Sequence, residues 1–293
     1  MTASIIDGRA LAKEIRAELG SRIDRLRTSG RPPHLVAMRA GDDPASGLYA
    51  KSQARACEKE DIRFSEEVLP PGVETSEVLA RLDAMNRDDR ISGIIMVKPF
   101  GPNVNFAALR CHINPLKDVE GVSPQNAGLL GLSATVLHPC TAEAAVELAS
   151  STGFKFQGRH VVVVGKGDTV GAPLALLCLQ RWATTTVCHY YTDDLTVHTR
   201  QADCLFVAAG SPRLISAEMV KPGAVVIDIG INRVEVNSPD GATRTVTVGD
   251  VDFESVSGVA AHVTPVPGGV GPMTVAVLLR NTVTAAERLH GLL

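Results

Sequence analysis

Four consecutive valines, Val161 to Val164, run into Gly165-Lys-Gly167-Asp-Thr-Val-Gly171-Ala-Pro173 and then into the apolar stretch Leu174 to Leu179. An unbroken β-branched run predicts a buried strand. The glycines after it allow a tight turn into a helix whose N-terminal amides can face a pyrophosphate. The spacing Gly-x-Gly-x-x-x-Gly is one residue away from the commonest dinucleotide fingerprint, and other α/β folds use glycine at this turn for packing alone. Read by itself, the stretch fits both a nucleotide loop and a structural turn. Asp168 adds a carboxylate that repels phosphate unless it points away or caps the helix.

A chain of 293 residues is long enough for two domains of ordinary size, each with its own core. With 45% hydrophobic and 21% charged residues and a net charge of -3, it carries no basic excess to draw nucleic acid or an acidic membrane, so neither is expected as a partner. The first residues lack a cationic stretch ahead of an apolar one, and no apolar run approaches the roughly 20 residues that span a bilayer. A cytoplasmic protein is expected. Cys57, Cys111, Cys140, Cys178, Cys188 and Cys204 are scattered singly without CxxC pairs, which predicts reduced thiols and no metal site.

Apolar residues at Leu11, Ile15, Leu19, Ile23 and Leu26 lay one stripe along a helix over 7–26. Strands are predicted at 34–38, 64–69 and 91–97, with helices at 46–59, 75–86 and 106–113 between and after them. Pro139-Cys-Thr141 introduces a helix over 142–150 with Thr141 at its N-terminus. From Gly158 onward strands at 161–164, 185–189, 204–208 and 224–229 alternate with helices, which describes a second, doubly wound α/β unit with a parallel sheet. Residues 234–248, split by Pro239-Asp-Gly241, predict a hairpin, and 275–292 a closing helix.

Four stretches could carry chemistry. Tyr49 and Gln53 are four apart, so their side chains meet on a helix, although Tyr49 alone reads as a packing aromatic. Lys117-Asp118-Val-Glu120-Gly121 is a charged loop of a kind that is commonly only a solvated turn. Thr264-Pro265-Val-Pro267-Gly268-Gly269-Val-Gly271-Pro272-Met-Thr274 packs prolines and glycines into a flat, pre-shaped wall or a stiff linker before a helix. Asp228-Ile-Gly230-Ile231-Asn232 closes a strand with polar groups, where open α/β sheets place ligands.

These segments, with Gly41-Asp-Asp-Pro-Ala-Ser46 and Val170-Gly171-Ala-Pro173, occur in matching order in the methylenetetrahydrofolate dehydrogenase/cyclohydrolase family, which the chain resembles over nearly its whole length. The resemblance implies an N-terminal folate-side domain over 1–140, completed by a C-terminal helix over 273–293, and a Rossmann-like dinucleotide domain over 141–272. It also implies a cleft between them for pterin and nicotinamide, tetrahydrofolate as the one-carbon carrier, NADP, and a homodimer. Tyr49, Gln53, Val97 and Glu120 fall on catalytic positions. Tyr49, Gln53, Glu120, Pro265, Pro267, Gly268, Gly269, Pro272 and Thr274 fall on folate-binding positions. Gly165, Lys166, Gly167, Val170, Gly171, Tyr190 and Ile231 fall on the nucleotide side.

Several of these positions depart from the family pattern. Its Tyr-x-x-x-Lys pair reads Tyr49-Ala-Lys51-Ser-Gln53, and Lys51 lies ~200° around the helix from the tyrosine, so it cannot substitute. The strand glutamine that polarises that lysine is Val97, the pterin-gripping aspartate is Glu120, and the two serines near the nucleotide are Gly167 and Tyr190. Lys166 matches the basic residue that meets a 2′-phosphate. Hydride loss from methylenetetrahydrofolate to NADP needs orientation and no protein base. Hydrolysis of the methenyl product needs proton exchange, which Gln53 cannot supply, so that step is expected to be weak or lost. Two other functions fit the same residues: a non-redox transfer of the methylene group to a small-molecule acceptor, and a catalytically silent folate binder.

Overall fold

The computed structural model describes residues 2–237 and 243–292. It divides into two units, Lys13–Cys140 with Val275–Leu293 and Met1–Ala12 with Thr141–Thr274. The sequence placed the whole N-terminus with the folate side. Instead β1 (Ser4–Ile5) pairs in parallel with β11 (His262–Val263), so the first residues extend the sheet of the second unit. Neither two-residue strand is long enough to show a period.

In the first unit, β2 (His34–Ala40) lies between β3 (Arg63–Leu69) and β4 (Gly93–Met96) in a parallel sheet. The strands are joined by α2 (Pro44–Lys59) and α3 (Thr75–Arg87), and α4 (Phe106–His112) and α5 (Pro124–Gly131) follow. Met38, Val78, Leu82, Ile94 and Leu109 are part of one core cluster. The predicted stripe of α1 (Gly8–Thr28) buries Leu19, Ile23 and Leu26. Helix α5 was not expected, because its eight residues include two glycines and no clear period; its start is set by Ser123, which caps the Asn126 N–H, and by Pro124. Lys117 is a structural pin: it is 1% exposed, and its ammonium donates to the carbonyls of Met85 (3.0 Å) and Asp88 (2.8 Å).

The closing helix α10 runs Val270–Leu289, five residues earlier than predicted. Gly271 and Pro272 therefore belong to its first turn and Thr274 to its second. Proline is tolerated in the first turn because the first four N–H groups of a helix have no partner within it.

The second unit holds a six-stranded parallel sheet in the order β1-β11-β8-β7-β5-β6, with β5 (His160–Val164), β6 (Thr184–Cys188), β7 (Cys204–Val207) and β8 (Val225–Asp228). Its helices are α6 (Cys140–Ser151), α7 (Gly171–Gln180), α8 (Leu195–Thr199) and α9 (Phe253–Val256). Because α6 begins at Cys140, Thr141 lies inside the helix rather than capping it. β9 (Asn232–Asn237) and β10 (Thr243–Val248) pair antiparallel as predicted, while Pro239-Asp-Gly241 lies outside the described residues. From β5 the chain passes to β6 on one side and then returns to β7 on the other. The carboxyl ends of β5 and β7 thus flank the point where strand order reverses, the place an open α/β sheet offers to a ligand.

Candidate active site

In the first unit, α2 is set from its first residue. Asp43 accepts the Ser46 N–H at 2.7 Å, the Ser46 hydroxyl donates back to the Asp43 carbonyl at 2.9 Å, and Pro44 occupies the first turn. One turn on, the two expected site residues diverge in exposure. Tyr49 is 39% exposed, whereas Gln53 is 1% exposed on the inward stripe with Ala50 and Cys57, and its Oε1 is buried without a hydrogen-bond partner. Val97 is buried just beyond β4, its N–H donating to the Met38 carbonyl at 2.8 Å.

Glu120 reaches the same neighbourhood because its loop runs beside β4: Ile94 bridges Asp118, and the Ile94 N–H donates to the Lys117 carbonyl at 2.9 Å. Glu120 is half-buried. Burial, then the charge of Asp118, push its pKa up to about 7 against the opposing pull of Met96 and Lys98. Burial and then Glu120 and Cys140 raise the Tyr49 phenol, which stays neutral.

Residues to which the sequence reading gave no individual role complete this half. Asp118 is fully buried and accepts from the N–H groups of Val122 (3.1 Å) and Ser123 (2.7 Å) and from the Asn126 amide (2.9 Å), so it holds the turn. The Cys140 thiol donates to the Val119 carbonyl at 3.2 Å, and Asn281 of α10 donates to the carbonyls of Val119 and His138. Lys98 places its ammonium 4.2 Å from the centre of the Phe106 ring. Only the Pro-Cys-Thr segment carried any sign of Cys140 in the sequence.

In the second unit the proline-glycine stretch is held tightly. The Asp228 N–H donates to Thr264 Oγ1 at 2.7 Å, and Gly269 N–H to the Pro265 carbonyl at 2.9 Å. A Cβ on Gly8 would lie 1.8 Å from the Gly269 carbonyl oxygen, so only glycine admits that approach. Pro265, Gly268 and Pro272 are half-buried, Pro267 is exposed and Gly269 is buried. Thr274 is engaged within its own unit, its hydroxyl reaching the Val270 carbonyl at 3.2 Å and Thr141 Oγ1 at 3.5 Å. Pro265 and Asp228 also line a cavity of ≈ 320 Å³.

Two buried carboxylates order the strand ends. Asp228 accepts the N–H groups of Gly230, Asp250 and Val251, each at 3.0 Å, yet burial outweighs them and lifts its pKa to about 6. Asp250 accepts from Ala209 (2.6 Å), Gly210 (2.8 Å) and the Asn232 amide (2.8 Å). The sequence hid Asp250, which sits in no motif.

At the strand-order reversal, Gly165 has φ +114°, and a Cβ on it would lie 2.1 Å from the Ala208 carbonyl oxygen. One on Gly171 would lie 1.8 Å from the Gly165 carbonyl oxygen, while one on Gly167 would meet nothing within 4 Å. The first and third glycines are therefore required by backbone contact, and the second leaves open space. Val170 precedes the first residue of α7. Lys166 is exposed beside the loop, Tyr190 is 93% and Ile231 70% exposed, and Asp168 has a partner of its own. An exposed cation beside a closed glycine turn at a helix start suits a phosphorylated dinucleotide.

Residues 6–120 match the model of the tetrahydrofolate dehydrogenase/cyclohydrolase catalytic domain, and residues 139–290 that of the tetrahydrofolate dehydrogenase/cyclohydrolase NAD(P)-binding domain. The bifunctional protein FolD of Ralstonia pickettii is 44% identical over 288 residues, covering 98% of this chain and 97% of its own length. Among solved structures, the bifunctional methylenetetrahydrofolate dehydrogenase/cyclohydrolase FolD of Campylobacter jejuni superposes with a TM-score of 0.91 at 38% identity, over 98% of this chain and 99% of that one. The Trypanosoma brucei enzyme, solved with NADP cofactor and an inhibitor, gives 0.91 at 36% identity over 98% of each chain.

Proposed function

Because the chain belongs to the tetrahydrofolate dehydrogenase/cyclohydrolase family, we propose that it oxidises 5,10-methylenetetrahydrofolate to the methenyl compound with NADP, and hydrolyses that product only weakly. The observation that carries the redox half is the glycine turn Gly165–Gly171, closed by backbone contact at the strand-order reversal with Lys166 exposed beside it. NADP accepts the hydride when bound. The protein's share is orientation, with Lys166 on the 2′-phosphate and the Tyr49 ring against the pterin, because the methenyl cation is stabilised by its own flanking nitrogens.

Gln53 supports the weak hydrolysis. A carboxamide neither takes up nor releases a proton near neutral pH, and Val97 offers no hydrogen bond to organise one that could. That the relatives named above are bifunctional dehydrogenase/cyclohydrolases favours this reading over methylene transfer to another acceptor or silent folate binding. A homodimer is part of the proposal. It would cover the outer edge of β6, the last strand of its sheet, beside which Leu179, Trp182 and Val187 are exposed. No helix among the described residues is long and apolar enough to cross a membrane, and the six free cysteines suit a reducing compartment such as the cytoplasm.

The test is folate-dependent NADP reduction, run beside the decay of methenyl absorbance corrected for spontaneous hydrolysis. NADP reduction with slow methenyl decay is expected, and Gln53→Lys should recover part of the roughly 10²- to 10⁴-fold that acid–base catalysis supplies. Adding Val97→Gln should exceed the product of the single effects. A protein that binds methylenetetrahydrofolate and never reduces NADP would refute the proposal.

A further inference from the structure

Where β7 and β8 end, the chain leaves the sheet and the ladder stops supplying hydrogen-bond partners. The Ala208 N–H still donates to the Val164 carbonyl at 2.7 Å, and the Ile229 N–H to the Val207 carbonyl at 2.8 Å. Past β7, the N–H groups of Ala209 and Gly210 turn instead to Oδ2 of Asp250, at 2.6 and 2.8 Å. Past β8, the Asn232 amide donates to Oδ1 of the same carboxyl at 2.8 Å. Asp250 thus joins the two strand exits beyond the reach of the ladder. A carboxylate suits the place because three donors converge on it and it offers only acceptors. The joint is itself held: Asp250 is fully buried, its N–H donates to Asp228 Oδ1 at 3.0 Å, and its carbonyl accepts the Ile215 N–H at 3.0 Å. A Cβ on Gly230 would collide with the Asp250 carboxyl, so the β8 exit rests directly on it.

In a doubly wound sheet, each half of the strand set takes one mononucleotide of a dinucleotide. The ends of β5 and β6, with the glycine turn and Lys166, form the half that suits the phosphorylated adenosine. The other half is rimmed by the two exits that Asp250 joins. We propose that Asp250 is a positioning residue for the nicotinamide half of NADP, holding the β7 and β8 exits at one spacing before the dinucleotide arrives. The inference rests on the NADP-linked reading above. Exits fixed in advance need not be ordered at binding, and hydride transfer requires the ring in one orientation. The adenosine half keeps its shape without Asp250, because the ladder bond to Val164 fixes Ala208 and Gly165 packs on the Ala208 carbonyl.

The experiment compares, by isothermal titration, the binding of NADP and of adenosine 2′,5′-bisphosphate, which carries the adenosine half alone. The proteins are wild type, Asp250→Ala, Asp250→Asn and Asn232→Ala, and kcat for methylenetetrahydrofolate oxidation is read at saturating NADP. In Asp250→Ala the NADP Kd should rise about tenfold or more and kcat should fall, while the bisphosphate Kd stays within about twofold of wild type. Asp250→Asn keeps an oxygen for Ala209 and Gly210 and can meet a turned-over Asn232 amide with its own NH2, so it should recover most of both losses. Asn232→Ala cuts only the β8 link and should weaken NADP by a smaller factor, again sparing the bisphosphate. An Asp250→Ala protein that binds and turns over NADP like wild type overturns the proposal. So does one that loses NADP and the bisphosphate in equal proportion, which would make Asp250 a support of the whole unit. If Asp250→Ala does not fold, Asn232→Ala decides by the same comparison. A wild type that binds both nucleotides without reducing NADP refutes the dehydrogenase reading, while the Kd comparison still judges Asp250. A wild type that binds neither overturns both.

Discussion

Replacing Gln53 with methionine should make the protein more stable. Gln53 is 1% exposed and its Oε1 has no partner, so the folded chain bears the desolvation cost of a buried carbonyl oxygen without a compensating bond. That cost is about 1–3 kcal/mol. Methionine has nearly the same length and helix propensity and no polar atom to strand, so the gain should approach the full cost, roughly 5- to 150-fold in the folded-to-unfolded ratio. Because the chain forms two units, a single unfolding midpoint would mix their transitions. Native-state hydrogen exchange of the α2 amides isolates the relevant one. Their protection in Gln53→Met should rise by the stated amount in the free protein. With saturating tetrahydrofolate the gap should narrow by about 0.5–1.5 kcal/mol, the worth of a hydrogen bond donated to Oε1 by the ligand or a water it traps. Unchanged or reduced protection in the free methionine variant would show that Oε1 is already satisfied, and the strain assigned to this position would be wrong.

Gly171→Ala should destabilise the second unit by about 1–3 kcal/mol, since the new methyl would meet the Gly165 carbonyl, whereas Gly167→Ala should shift thermal stability by less than about 1 kcal/mol. Equal effects would mean that the turn is not closed by that contact. For acid stability the residue to follow is Glu287 of α10, whose side chain is fully buried. Burial alone would raise its pKa, but hydrogen bonds from Arg22 (Nε, 3.2 Å) and Arg25 (2.8 Å) outweigh it and hold the carboxyl below its usual range. A depressed folded pKa stabilises above the unfolded value near 4.3 and loses that contribution as pH falls below it. Wild type should therefore weaken on acidification in urea titrations. Glu287→Gln, which removes the charge but leaves the two partly exposed guanidinium groups in reach of water, should be weaker at neutral pH by about 1–3 kcal/mol and should lack this part of the acid response.

The valine run, the glycine turn after it and the stripe of α1 are local patterns, and the α/β alternation they announce is present in both units because side-chain period and turn chemistry act within a few residues. The proline-glycine segment and the ordered motifs likewise sufficed to place the chain in its family. Other features depended on residues far apart in the chain. β1 is too short to signal itself and exists only because β11, some 260 residues later, presents an edge to it. Glycine is needed at 165 and 171 but not at 167 because of where the Ala208 and Gly165 carbonyls fall, which no spacing rule records. The same holds at the site. The sequence showed that a lysine position had become Gln53 and an aspartate position Glu120. Only folding shows that Gln53 is sealed without a partner, while burial and Asp118 leave Glu120 able to titrate, because desolvation and charge are set by neighbours that tertiary structure brings together.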